Sequence, residues 1–123
     1  MRFKTTLALS EKLQQQPETV AFNDVIDLID RLYDYTPVQF ANGDLVNDAG
    51  QNQGSCKILA FASELGLSQE STLHCFGHYY RDEVLCFPEG QDHANIRQFM
   101  RFGWNGVTFK TFPLTLKETP VVE

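Results

Sequence analysis

Phe22, Ile26, Ile29 and Tyr33 recur at spacings of four, three and four, while Asp24, Asp27, Asp30 and Asp34 fall on the opposite side. That period is an amphipathic α-helix with one apolar stripe, and such a helix is stable only where a core covers the stripe. The acidic row reads as its solvated face, and negative charge early in the helix favours its dipole. The chain has 123 residues, enough for one core and one domain. With 42% hydrophobic and 21% charged residues, disordered and low-complexity classes are excluded. A net charge of −6 removes the attraction to phosphate on which most nucleic-acid and anionic-membrane binding rests, so neither partner is expected. The longest apolar run, Ile58 to Ala62, is far short of the roughly 20 residues of a membrane span. Leu7-Ala8-Leu9 is broken by Ser10-Glu11-Lys12, so a Sec-type signal is not expected. Cys56, Cys75 and Cys86 cannot all pair within the chain, which points to reduced thiols in a cytoplasm.

Around the acidic helix the other elements follow from local chemistry. Thr5 to Gln16 reads as a helix with Leu7, Leu9 and Leu13 on one side, stopped by Pro17. Val38-Gln39-Phe40 and Leu45-Val46-Asn47 flank an Asn42-Gly43 pair, the signature of a hairpin. A polar loop from Asn47 to Ser55 precedes a helix carrying Ile58, Phe61, Ala62 and Leu65, with Gly66 as its stop. Ser68 is placed to cap a further helix with Leu73, Phe76 and Tyr80 inward, bent at Gly77. After a turn at Pro88-Glu89-Gly90, Asp92 is placed to cap a short helix with Ile96, Phe99 and Met100 inward, ending at Gly103. Val107 to Thr111 alternates as a strand and needs the hairpin as its partner. The expected fold is α+β and predominantly helical, about five helices packed on a small three-stranded antiparallel sheet. Residues 1–116 are expected to form this domain and 117–123 a flexible tail.

Three constellations could carry chemistry. His74 and His78 stand four apart on a predicted helix, a spacing used by zinc sites, with Asp82 or His93 available as a third ligand. Two histidines meet this spacing often by chance and no cysteine or histidine pair accompanies them, so no metal or other cofactor is expected. Cys56, His93 and Asn105 occur in the chain order of papain-like cysteine proteases, with Cys56 at a helix start where the dipole lowers a thiol pKa. The papain signature would place the nucleophile three residues later and follow it with Trp, where this chain has Leu59 and Ala60, and the chain is short for that architecture. A buried structural thiol is the favoured reading, with a Cys-dependent hydrolase or acyltransferase as its competitor. Arg97 and Arg101, four apart, could clamp a carboxylate or phosphate, but pairing with the acidic helix at 24–34 is favoured. The aromatic concentration from Phe99 to Phe112 lacks a basic surround and reads as core.

Asn52-Gln53-Gly54-Ser55-Cys56-Lys57, Phe76-Gly77, Tyr79-Tyr80-Arg81-Asp82, Pro88-Glu89-Gly90, Asp92-His93-Ala94-Asn95-Ile96-Arg97 and Gly103-Trp104, taken together, resemble the HopJ type III effector family. The resemblance spans roughly residues 5–114 and implies a bacterial cytoplasmic protein, with export through a type III system and a host protein or secretion chaperone as the partners to expect. It brings no catalytic residue with it. It does supply positions, of which Asn52, Ser55, Lys57, Tyr80, Arg81, Asp92, Arg97 and Trp104 are the candidate ligand-binding residues, polar or aromatic types beyond what a core requires. The same residues could serve as a scaffold, with Asn52 and Asp92 capping helices, Arg81 paired to Asp82, and Gly54 and Gly90 in tight turns. That scaffold is the favoured reading, with a non-catalytic protein- or ligand-binding domain as the expected function.

Overall fold

The computed structural model describes residues 3–118. In chain order it has α1 (Thr6–Gln15), a 3₁₀ turn (Pro17–Thr19), α2 (Phe22–Leu32), β1 (Tyr33–Tyr35), β2 (Phe40–Asn42), β3 (Leu45–Asn47) and α3 (Gln53–Leu65). There follow α4 (Gln69–His74), a π-helical turn (Tyr79–Val84), α5 (Ala94–Phe102), a 3₁₀ turn (Gly103–Gly106), β4 (Val107–Phe109) and β5 (Leu114–Leu116). The fold is α+β and dominated by helix, as the sequence implies. The hairpin β2–β3 pairs Phe40 with Asn47 and Asn42 with Leu45, and β4 lies antiparallel on the other side of β2. This is the expected three-stranded sheet.

A second sheet was not expected. Tyr33 continues the apolar stripe of α2 on paper, yet the helix ends at Leu32 and Tyr33–Tyr35 pairs with Leu114–Leu116. Tyrosines favour extended backbone, and the ladder continues beyond both ends through Thr36 N to Pro113 O and Lys117 N to Leu32 O. The buried side of α2 is accordingly centred on Val25, Leu28 and Ile29, with Phe22 and Ile26 only half-buried. On α1, Leu9 and Leu13 are buried but Leu7 is exposed. The expected tail begins where Lys117 still bonds to Leu32, and residues 119–123 lie outside the described residues.

The centre of the molecule is α3. Cys56 and the run Ile58 to Ala62 are fully buried, so the middle of this helix is covered on every side rather than along one stripe, with Gln53, Ser63 and Glu64 exposed at its ends. It stops at Gly66 in the left-handed region, with Leu67 N bonded back to Ala62 O as in a Schellman motif. Ser68 caps α4 as expected, its hydroxyl accepting from Ser71 N at 3.1 Å. The bend at Gly77 breaks that helix outright: φ is +62°, and a Cβ there would stand 2.7 Å from Phe22 N. Beyond it the backbone re-enters a wide π turn, with Leu85 N bonded to Tyr80 O five residues back.

Candidate functional site

The loop before α3 and the turn before α5 meet at one cleft of about 330 Å³, lined by Asn52, Gly54, Ser55, His93, Ala94 and Asn95 with Phe22, Phe76, Tyr79 and Ile96 behind them. Each wall is the start of a helix. Asn52 precedes α3 at φ 52°, ψ 49° and His93 precedes α5 at φ 51°, ψ 49°, the two non-glycine residues with positive φ among those described. Neither side chain caps its helix, so the first-turn N–H groups are not closed by a neighbouring oxygen. Asp92 does not cap α5 either, which corrects the expectation for both positions. Gly54 sits inside α3 rather than in a turn, and a Cβ there would meet the Phe22 ring at 2.9 Å. Its lack of a side chain is what lets Phe22 form the cleft wall.

The side chains at the base of the cleft form an asparagine network in which Asn42, Asn47 and Asn95 are buried and Asn52 is at the surface. Asn52 Nδ2 donates to Asn47 Oδ1 at 2.8 Å, Asn95 Nδ2 donates to the same oxygen at 3.0 Å, and Asn47 Nδ2 donates to Asn95 Oδ1 at 3.1 Å. Asn42 Nδ2 reaches Asn95 O and Oδ1 at 2.8 and 3.0 Å, while its Oδ1 is buried without a partner. The network ties the hairpin to both helix starts, and Asn52 bonds to Asn47 rather than capping α3 as the scaffold reading expects. Asn42 and Asn47 were not singled out from sequence. Their place beside the Asn-Gly turn explains them as turn residues and conceals their burial.

His93 turns away from the asparagines. Its Nε2 lies 2.8 Å from Glu83 Oε1 and 3.8 Å from Asp92 Oδ2, and His78 Nε2 stands 3.5 Å from Glu83 Oε2. Tyr79, not Tyr80, lines the cleft, and its ring lies 4.1 Å from His78 and 5.3 Å from His93 between centroids. Tyr80 is buried, edge-on to His74 at 5.4 Å, and burial raises its phenol pKa, with Glu70 adding to the shift.

The remaining candidates are distributed elsewhere. Cys56 is fully buried with Tyr35 as its hydrogen-bond partner, and burial pushes its thiol pKa up despite that bond. The partners of Cys56 and His93 are thus Tyr35 and Glu83, and Asn105 is exposed on the 3₁₀ turn after α5. A raised, buried thiol is the reverse of what nucleophilic catalysis uses. Cys75 is buried too, its thiol pushed up to about 12. Lys57 pairs with Asp30 at 2.8 Å and lies over the Tyr35 ring.

Arg81 does not pair with Asp82; it donates to the carbonyls of Pro17, Val20 and His74 and touches His74 Nδ1 at 3.3 Å. Burial, then the guanidinium charge, lowers the His74 pKa. Arg97 likewise leaves the acidic helix alone: it donates to Asp92 Oδ1 at 2.8 Å, Asp92 O at 2.6 Å and Phe87 O at 2.9 Å. That hydrogen bond is the chief reason the Asp92 carboxyl pKa is lowered. Arg101 stacks on Phe102, and Trp104 donates to Leu67 O at 2.9 Å and packs edge-on against Phe99. Of the expected ligand-binding set, the cleft brings together Asn52 and Ser55, joined by His93 from the expected cysteine site; Lys57, Tyr80, Arg81 and Trp104 lie in other contacts.

Comparison with known proteins agrees with the fold. No curated protein matches the chain. A solved crystal structure of the unknown-function protein VPA0580 is 44% identical, superposes with a TM-score of 0.90, and is matched over 95% of this chain and 97% of its own. Among the described residues no helix is long and apolar enough to cross a membrane. The family described as HopJ type III effector protein, a description that associates its members with type III secretion, matches residues 6–114; the chain belongs to the HopJ type III effector family.

Proposed function

We propose that this domain acts by binding rather than catalysis, and that the cleft between α3 and α5 takes a small polar ligand with an anionic oxygen group. The observation that carries the reading is the convergence of the motif residues Asn52, Gly54, Ser55, His93 and Asn95 on one cleft. Its volume lies in the range of small-molecule sites. Donors support an oxygen ligand in particular: both walls are uncapped helix starts, whose N–H groups and dipoles favour negative charge. Absence of chemistry is supported by Cys56, whose buried thiol is held by Tyr35 and whose pKa is raised.

The test is an amide-resolved NMR titration of the full chain with inorganic phosphate and, separately, citrate, in the presence of a metal chelator. Saturable shifts confined to Gly54, Ser55, Ala94 and Asn95, and lost in Ser55→Trp, are expected. Shifts scattered over the basic side chains, or none up to tens of millimolar, would remove the cleft as the site. Cys56 alkylated by iodoacetamide in the folded protein at neutral pH would return the enzyme reading instead.

A further inference from the structure

The edge of the cleft holds a cluster that the asparagine network does not use. Glu83, Asp92 and His93 each present a ligand atom, and these lie within 4.8 Å of one another. His78 adds a second imidazole, its Nε2 3.5 Å from the free Glu83 oxygen. We propose that His78, Glu83, Asp92 and His93 form a binding site for a divalent first-row transition metal ion of the zinc type.

The donor set argues for this class of ion. Two imidazoles and two carboxylates give four ligands whose charge a dication balances, and imidazole selects transition ions over magnesium or calcium. Spacing fits as well. A tetrahedral shell at the usual zinc distances sets neighbouring donors about 3.4 Å apart. His93 Nε2 lies 2.8 Å from Glu83 Oε1 and 3.8 Å from Asp92 Oδ2, and His78 Nε2 stands 3.5 Å from the other Glu83 oxygen, Oε2, so the carboxylate reaches an imidazole on each side. Small side-chain rotations would place a cation between His93 Nε2 and Glu83 Oε1, which now meet at 2.8 Å.

Outer contacts hold the ligands in place, as metal sites require. Arg97 occupies Asp92 Oδ1 and the Asp92 carbonyl, which leaves Oδ2 as the oxygen on the His93 side. Tyr79 packs against both imidazoles and limits their rotation. The π turn supplies the register: an α-helix from His78 would bring Asp82 alongside, whereas the wider turn brings Glu83. The zinc-like spacing of His74 and His78 in the sequence therefore marks one true ligand and one false one. His74 belongs to Arg81, on the other side of the break at Gly77.

The experiment is isothermal titration of the tag-free, chelator-stripped full chain with Zn²⁺ and Mg²⁺ in phosphate-free buffer, paired with thermal melts. One equivalent of Zn²⁺ should bind at micromolar concentration or below and raise the Tm, with no response to Mg²⁺. Glu83→Gln and His93→Gln should each weaken Zn²⁺ binding at least tenfold, while His74→Gln leaves it unchanged; apo-state circular dichroism shows that each variant is folded. Absence of saturable Zn²⁺ binding, equal binding of Mg²⁺, or Zn²⁺ binding that survives both cluster variants would overturn the site. None of these outcomes depends on whether the cleft takes an anion, because the anion titration is run with metal removed.

Discussion

The molecule starts its helices in two ways. Thr5 and Ser68, before α1 and α4, are extended and turn their hydroxyls back onto Ala8 N and Ser71 N at 3.0 and 3.1 Å. Asn52 and His93, before α3 and α5, are left-handed, and their side chains reach away, to Asn47 and to Glu83. A capped start closes its own first-turn donors and costs nothing in backbone conformation. A left-handed start in a non-glycine residue costs about 1 kcal/mol and leaves donors open. Here the two open starts face the same cleft, and each is held by a partner on the segment before it, five residues back for Asn52 and ten for His93. A bond within the first turn finishes the first pair of helices, whereas the second pair is held by neighbouring elements, the hairpin through Asn47 and the π turn through Glu83.

The largest way to break this contrast is to remove the partner that imposes it. Asn47→Ala deletes the acceptor shared by Asn52 and Asn95 and strands Nδ2 of the buried Asn95 side chain, so it should cost about 3 kcal/mol in urea unfolding. A loss under about 1 kcal/mol would mean that water serves the network as well as Asn47 does.

A paired substitution sharpens the comparison at intermediate size. Ser68→Ala should cost about 1 kcal/mol as an ordinary cap. His93→Gly should change stability by no more than about 0.5 kcal/mol, because relief of the left-handed backbone offsets the lost Glu83 bond. Denaturant midpoints for both variants check this, and equal losses would erase the distinction between the two kinds of start.

The smallest effect is one of pH. Because the His74 pKa is lowered in the fold, the unfolded chain binds more protons near pH 6, and stability therefore rises with pH there. The contribution is complete above the unfolded value of about 6.5 and is lost as pH falls below it. Tm measured from pH 7.5 to pH 5 should fall toward acid more steeply in the parent protein than in His74→Gln. Parallel curves would show that another group governs the slope.

What could be read from sequence was whatever a few adjacent residues decide. Gly66 as a stop, Ser68 as a cap, the break at Gly77 and the Asn42-Gly43 hairpin are matters of φ and of one side-chain bond. β1 and β5 were hidden because no turn signal joins them as Asn42-Gly43 joins β2 to β3, and Tyr33 fits the helix pattern before it as well as a ladder. At the site, the motif stretches around Asn52 and His93 could be picked out from the chain, but the partners of these two residues were not legible. Glu83 depends on a π register that spacing rules for α-helices misassign, and Asn47 depends on burial that a turn asparagine does not advertise. Cys56 misled for a related reason: in a helix whose middle is buried on all sides, sequence order says nothing about which neighbour a side chain meets.

The ladder between Tyr33–Tyr35 and Leu114–Leu116 joins positions about 80 residues apart, a closure whose chain entropy must be met before the pairing rewards it. A chain emerging from the ribosome carries an open strand edge at Tyr33 until Leu114–Leu116 has followed it out. That edge works as a completion latch: a copy stopped short of Leu114 would keep a sticky rim where the finished protein has a closed seam.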